Sequence, residues 1–243
     1  MTTAATAYPL IGSQPVGNFF QPDTTQRHVL GATLAVVDPF WGGQELVYLG
    51  VPTSTAVKVG QSVTWDTSLN MVSLPNTANL GVPVAFALNA VASNASSVQY
   101  SWFVIEGQVL ALSTASVAAA AAIGITGAGT LGANSAGKQI LNARVVDPAT
   151  TTVAKTNVQT TNGSPVLRCT TGGTDGWFVG MAVSGTGIPA STTLTAINPD
   201  NTVVMSANAT ATGSVTVTGT YNDGTNFWNV LVVDRPQAQG AIT

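Results

Sequence analysis

The residues of this chain that could carry acid–base, nucleophilic or metal chemistry are few: one histidine (His28), one cysteine (Cys169) and two glutamates (Glu45 and Glu106). His28 has Asp23 and Asp38 near it in sequence, and an acid partner is one requirement of a hydrolytic triad. A positioned nucleophile is another, and no nucleophile elbow accompanies them. His28 therefore reads as a packed or solvent-facing side chain. Glu45 and Glu106 fall on separate strand-like segments. Facing each other across a cleft they would be the carboxyl pair of a glycosidase acting on cell-wall glycan. No concentration of Trp and Asp surrounds them, so each is expected at a strand edge, paired with Lys or Arg. Cys169 alternates with polar neighbours in Val-Leu-Arg-Cys-Thr and reads as a small buried strand residue. A single cysteine allows neither an intrachain disulfide nor a cysteine-based metal cluster. No acidic run has calcium-loop spacing. No catalytic residue, metal ligand or cofactor site is assigned, and the chain is not expected to be an enzyme.

Two phosphate-loop patterns overlap. Gly127-Ala128-Gly129-Thr130-Leu131-Gly132 matches G-x-G-x-x-G, and Gly132 through Gly137-Lys138 matches G-x-x-x-x-G-K, with Gln139 in place of the Mg²⁺-binding hydroxyl. The mechanism needs a strand before such a loop and a helix N-terminus after it. Here Gln139–Val146 reads as a strand, so the stretch is expected to be a surface loop. Asn94-Ala95-Ser96, Asn162-Gly163-Ser164 and Asn208-Ala209-Thr210 fit the glycosylation sequon, as coincidence allows in a chain so rich in Asn, Ser and Thr.

The elements that must position these residues are built from a nearly uncharged sequence. Seven Lys and Arg and ten Asp and Glu make 7% of 243 residues, against roughly a quarter in an ordinary soluble domain. Seven scattered basic residues cannot form the cationic stripe that nucleic-acid binding requires. Ala115–Ile125 is too short to span a bilayer. The N-terminus carries no charged-then-apolar signal pattern, which points to synthesis in a cytoplasm. Such a quiet surface suits permanent packing against other copies and other proteins.

Pro9, Pro15 and Pro22 make residues 1–30 an extended arm, whose Tyr8, Phe19 and Phe20 are too apolar for a free tail. Strand signals begin at Gly31. Ala32–Val37, Glu45–Val51, Val59–Asp66, Val82–Leu88, Tyr100–Ile105, Gln108–Leu112 and Gln139–Val146 follow, with Phe40-Trp41-Gly42-Gly43 as an aromatic turn. Ala propensity makes 115–123 the one expected helix. At about Asn157 the texture becomes dense in Thr, Ser, Gly and Asn, with short strands of an antiparallel module over 157–221, before Phe227–Val233 returns as an apolar strand. The expectation is an all-β chain: an arm (1–30), a small barrel or sandwich body (31–156 with 222–243), and a β module (157–221) inserted between the last two strands of the body. Adjacent strands bring the ends of such an insertion together.

Two stretches carry a resemblance. The first runs Gly31-Ala32-Thr33, Asp38-Pro39-Phe40-Trp41-Gly42-Gly43-Gln44-Glu45-Leu46-Val47-Tyr48-Leu49, Val59-Gly60-Gln61-Ser62-Val63-Thr64-Trp65-Asp66, Pro75-Asn76-Thr77-Ala78-Asn79-Leu80-Gly81-Val82-Pro83-Val84-Ala85, Tyr100-Ser101-Trp102-Phe103-Val104-Ile105-Glu106-Gly107 and Ala136-Gly137-Lys138-Gln139. It resembles the small capsid decoration proteins of tailed bacteriophages over residues 28–146, with Val230–Pro236 as closing strand. The second, Gly180-Met181-Ala182-Val183-Ser184-Gly185-Thr186-Gly187-Ile188-Pro189-Ala190 through Ala207-Asn208-Ala209-Thr210-Ala211-Thr212-Gly213, is similar to a β module found repeatedly in phage virion proteins. The resemblance implies a head-cement protein on the outer capsid surface of a virion. Its partners would be the major capsid protein and its own copies, as a homotrimer, with neither nucleic acid nor membrane. Tyr8, Phe19, Phe20, Phe40 and Trp41 are the expected protein contacts. A rival expectation is a tail or head-fibre adhesive protein whose inserted module recognises the host surface through Trp177 and Phe178.

Overall fold

A computed structural model of the chain describes residues 6–7, 21–38, 40–198 and 200–241, with side chains from residue 21 onward. The fold is all-β, and the described residues contain strands and turns but no helix. Two sheets account for it: one of eleven strands and one of six.

The eleven-stranded sheet is organised around β7 (Gln99–Ser113), its longest strand. The N-terminal half of β7 pairs with β3 (Gly42–Val51) and β6 (Ala85–Ala87). The C-terminal half pairs with β17 (Phe227–Ala238), which in turn pairs with β10 (Ile140–Asp147). Partners change at Glu106 and Gly107, which are paired on both sides. Gly107 has φ of +102°, and a Cβ there would collide with the Gly43 carbonyl, so only glycine lets the two partner strands close on β7 at this point. On the far side of β6 lie β4 (Ser62–Trp65) and β5 (Met71–Ser73). The Gly50 amide donates to Leu69 O at 3.1 Å, and this returns the β5 end of the sheet to β3 as a curled half-barrel. At the other margin β2 (Thr33–Asp38) pairs with β3, and β1 (Thr6–Ala7) covers the β2 edge. Residues 6–7 of the expected arm thus pair with this chain's own sheet.

The six-stranded sheet has the order β13 (Ala182–Gly185), β16 (Gly213–Thr220), β11 (Thr152–Thr160), β12 (Val166–Cys169), β15 (Thr202–Met205) and β14 (Leu194–Ile197), all antiparallel. Its margins meet. Gly180 N donates to Leu194 O at 2.7 Å, Leu194 N to Met181 O at 2.9 Å and Val183 N to Thr192 O at 2.9 Å. The sheet closes on itself, which removes the free edges that invite strand addition. It occupies the sequence between β10 and β17, which are hydrogen-bonded neighbours. The change of texture near 157 falls inside β11, at a bulge between Lys155 and Val158 where Asn157 takes φ of +55°.

Alternation along the strands separates three cores. On β7, Trp102 and Val104 join one core while Phe103 and Ile105 join another inside the half-barrel. Beyond Gly107, Val109 and Ala111 stay with the first core, whereas Leu110 and Leu112 turn toward the second sheet. Those two pack with Val59, Trp228 and Val230 against Phe178, Met181 and Tyr221, so the two sheets share one continuous core.

The expected helix over 115–123 is overturned. The segment is irregular, and β8 (Ile123–Gly127) begins where the helix would end. Buried Asn229 of β17 explains this: its Oδ1 accepts from Val117 N (2.9 Å) and Ala149 N (3.0 Å), and its Nδ2 donates to Ala115 O (3.0 Å). Ala120 N donates to Val145 O on β10. Tertiary hydrogen bonds claim the groups that a helix would pair internally, and Ala propensity is too weak to compete. The Gly-rich stretch that follows is a hairpin of β8 and β9 (Thr130–Ala133), not a loop.

Candidate functional site

Tyr8, Phe19 and Phe20 lie outside the described residues. Phe40 and Trp41 occupy the β2–β3 turn. Asp38 shapes this turn by accepting from Phe40 N (2.7 Å) and Trp41 N (2.8 Å) through one carboxylate oxygen. The two rings stack edge to face at 4.7 Å. The pair leans on the second sheet: the Phe40 ring lies over Gly176, where a Cβ would meet it at 2.7 Å, and Trp41 sits 6.3 Å from the Tyr221 ring. Trp41 is half-buried, while Phe40 keeps 42% of its surface exposed. Trp177 and Phe178 are core residues, 3% and 8% exposed. Trp177 donates its indole N–H to Val153 O at 3.0 Å, and Phe178 packs on Trp228 at 4.9 Å.

Glu45 and Glu106 are brought together, as register partners on β3 and β7. Between them stands Arg235, from the bend in β17 where φ reaches +44°. Its guanidinium donates to the Glu45 carboxylate and lies 4.0 Å from Glu106. A strand-bulge arginine holding two carboxylates serves as an ion-pair clamp across three strands. Arg235 also lines a groove of about 270 Å³ whose walls are mostly apolar, among them Val47, Trp65, Leu69, Ile105 and Pro236. Val47 and Ile105 belong to the half-barrel core and Trp65 and Leu69 pack against it, so the groove borders that core. Sequence reasoning missed it because its residues come from six separate segments. Asp234-Arg235-Pro236 reads in sequence only as the end of a strand.

His28 packs edge-on to Tyr48 at 5.1 Å and tilted to Trp102 at 5.2 Å. The same cluster anchors the segment after residue 20. Asp23 bridges Tyr100 through backbone hydrogen bonds, accepts from the Tyr48 hydroxyl at 2.8 Å and pairs with Arg27 at 2.7 Å. Burial, with the charge of Asp23 beside it, pushes the Tyr48 phenol far above its ordinary range. Cys169 is buried, and burial raises its thiol as well. Lys138, the residue a phosphate loop would use, donates to Asn76 Oδ1 at 2.8 Å and is followed by strand β10, not by a helix N-terminus. Among the described residues no group of three or more His, Cys, Asp or Glu is arranged to hold a metal ion.

Fold and site together define a class: an all-β protein of two curled sheets fused through a common core, whose aromatic turn and ion-pair clamp join elements. The chain matches no family model, no curated protein and no solved structure.

Proposed function

We propose that this chain is a structural protein of a phage virion that binds the outer capsid surface and stabilises the head. One observation carries the reading. The segments that resemble decoration proteins, spread over residues 28–146 and 230–236, fall in one sheet built around β7 and β17, and the 152–220 stretch between them forms a sheet of its own. The sparse charge adds to it, since Thr- and Val-rich strands can be covered by a partner without a heavy desolvation cost. The major capsid protein and further copies of this chain are the partners the reading requires.

The arm is the proposed contact, anchored by Phe19 and Phe20. Asp23 and Arg27 belong to the body's Tyr48 cluster, so the informative truncation stops before them. Deleting residues 1–20 is expected to leave the thermal transition within a few degrees of the full chain and to abolish co-sedimentation with heads. Full occupancy of heads by the truncated chain would sink the arm's role. The adhesive reading is distinguished by copy number: many copies spread over the head support decoration, whereas a few confined to the tail support adhesion.

A further inference from the structure

The two sheets meet at a polar contact as well as an apolar one. From the eleven-stranded sheet comes the β2–β3 turn with Asp38, Phe40 and Trp41. From the six-stranded sheet comes the 174–177 loop, with Phe40 lying on Gly176. Asp38 is 2% exposed. Facing it electrostatically is Asp175, whose Oδ1 is buried without a donor. The neighbouring Thr174 is fully buried, and its hydroxyl has no partner either. Among the described residues no Lys, Arg or His stands within ion-pair distance of either carboxylate. The other titratable groups at the contact are Tyr221 and, acting on it from β10, Asp147. Burial and Asp147 push the Tyr221 phenol far up, so it stays neutral, and its hydroxyl reaches toward Gly176 O at 3.5 Å.

We infer that the β2–β3 turn and the 174–177 loop form a proton-operated latch between the two sheets, engaged while Asp38 carries a proton and eased when Asp38 ionises in its buried place beside the 174–177 loop. Two carboxylates in one desolvated contact cannot both hold their charge cheaply. A proton on Asp38 removes the repulsion and supplies an O–H where buried oxygens lack a donor. Burial raises the Asp38 carboxyl above its ordinary range, Asp175 raises it further, and the amides of Trp41 and Phe40 oppose both without cancelling them.

The sign follows from the native Asp38 binding its proton more tightly than the unfolded chain does. The latch contributes stability at low pH and loses it as pH rises through the native pKa of Asp38. Asp66, Asp200 and Asp223 run the other way. Hydrogen bonds hold the exposed carboxyls of Asp66 and Asp200 below 3.8; at Asp223 burial opposes most strongly, yet the hydrogen bonds from Asn226 and Thr225 together still lower it, and the contribution of all three is lost only as pH falls below that value. The latch window therefore lies above theirs.

The test uses the full chain, with Asp38→Asn and Asp175→Asn as separate variants. Asn at position 38 keeps an acceptor for the Phe40 and Trp41 amides. Amide exchange, corrected for its intrinsic pH dependence, is followed at residues 40–41 and 174–177, with Tm measured from about pH 4, just above the ordinary aspartate value, to about pH 8. In the wild type, protection at these residues should fall several-fold as pH rises. Asp38→Asn should abolish that fall and raise Tm at the upper pH by about 2–4 °C, and Asp175→Asn, which leaves Asp38 buried, should shrink the fall and raise Tm by a smaller amount. Protection that stays constant with pH in the wild type, or an Asp175→Asn chain no more stable than wild type at the upper pH, would overturn the latch.

Discussion

Asn229 shows how one side chain can settle a stretch of irregular chain. It is fully buried on β17, yet its amide group satisfies two backbone donors and one acceptor from segments that cannot pair with a strand. Truncating it leaves Val117 N and Ala149 N buried without acceptors, at a cost of about 1–3 kcal/mol for each orphaned group. Asn229→Ala should therefore lower the unfolding free energy by about 3 kcal/mol in a denaturant titration. A loss below about 0.5 kcal/mol would mean the 115–117 segment is not held this way. At this scale the sequence was legible only for residues whose role is local. Cys169 as a buried strand residue and the glutamates as partners of an arginine follow from alternation, but the expected strand-edge position does not hold, since Glu45 and Glu106 are each paired on both sides within β3 and β7. Asn229, Arg235 and Asp175 act on groups distant in sequence, and nothing in their immediate neighbours marks them.

Among the elements, β7 divides three cores, and its two faces change partners at Gly107. Period-two alternation made most strands visible in the sequence. It read β7 as two segments broken at Gly107, because a glycine inside a strand pattern looks like a stop when the partner strands that need it are unseen. Gly-rich β8 and β9 were hidden for a related reason. Gly124 and Gly132 are there for close approach, the first to Asn134 and Lys138 and the second to Thr126, not for looping. The shared core predicts that the two sheets depend on each other. Thr152 and Thr220 are register partners, and Tyr221 N donates to Thr151 O, so a short Gly linker can replace residues 153–219. The excised body would expose Leu110, Leu112, Trp228 and Val230, all at most 7% accessible in the full chain. Uncovering Leu112 and Trp228 alone forfeits about 3–6 kcal/mol. The excised chain should bind a hydrophobic dye and melt about 10 °C lower. A dye-silent body of unchanged Tm would mean that the sheets fold as independent units.

Taken whole, the molecule puts almost all of its cohesion into apolar burial and backbone pairing, and very little into charge. Only three ion pairs are formed among the described residues, two of them by Arg235. The all-β class and the scarcity of titrating groups could be read from composition and periodicity. The fusion of the two sheets could not, because the apolar residues that face the second sheet look in sequence like any other inward-facing strand positions. The six-stranded sheet closes on itself and the eleven-stranded one curls into a half-barrel, and the proposed seat on a capsid is to be tested on the whole particle. The proposed capsid seat is tested most directly by an image reconstruction of intact virions carrying this chain, with residues 21–241 placed in the density. A decoration role predicts density for the chain repeated across the outer face of the head, touching the major capsid protein. Density confined to the tail, or none on the particle, would contradict it.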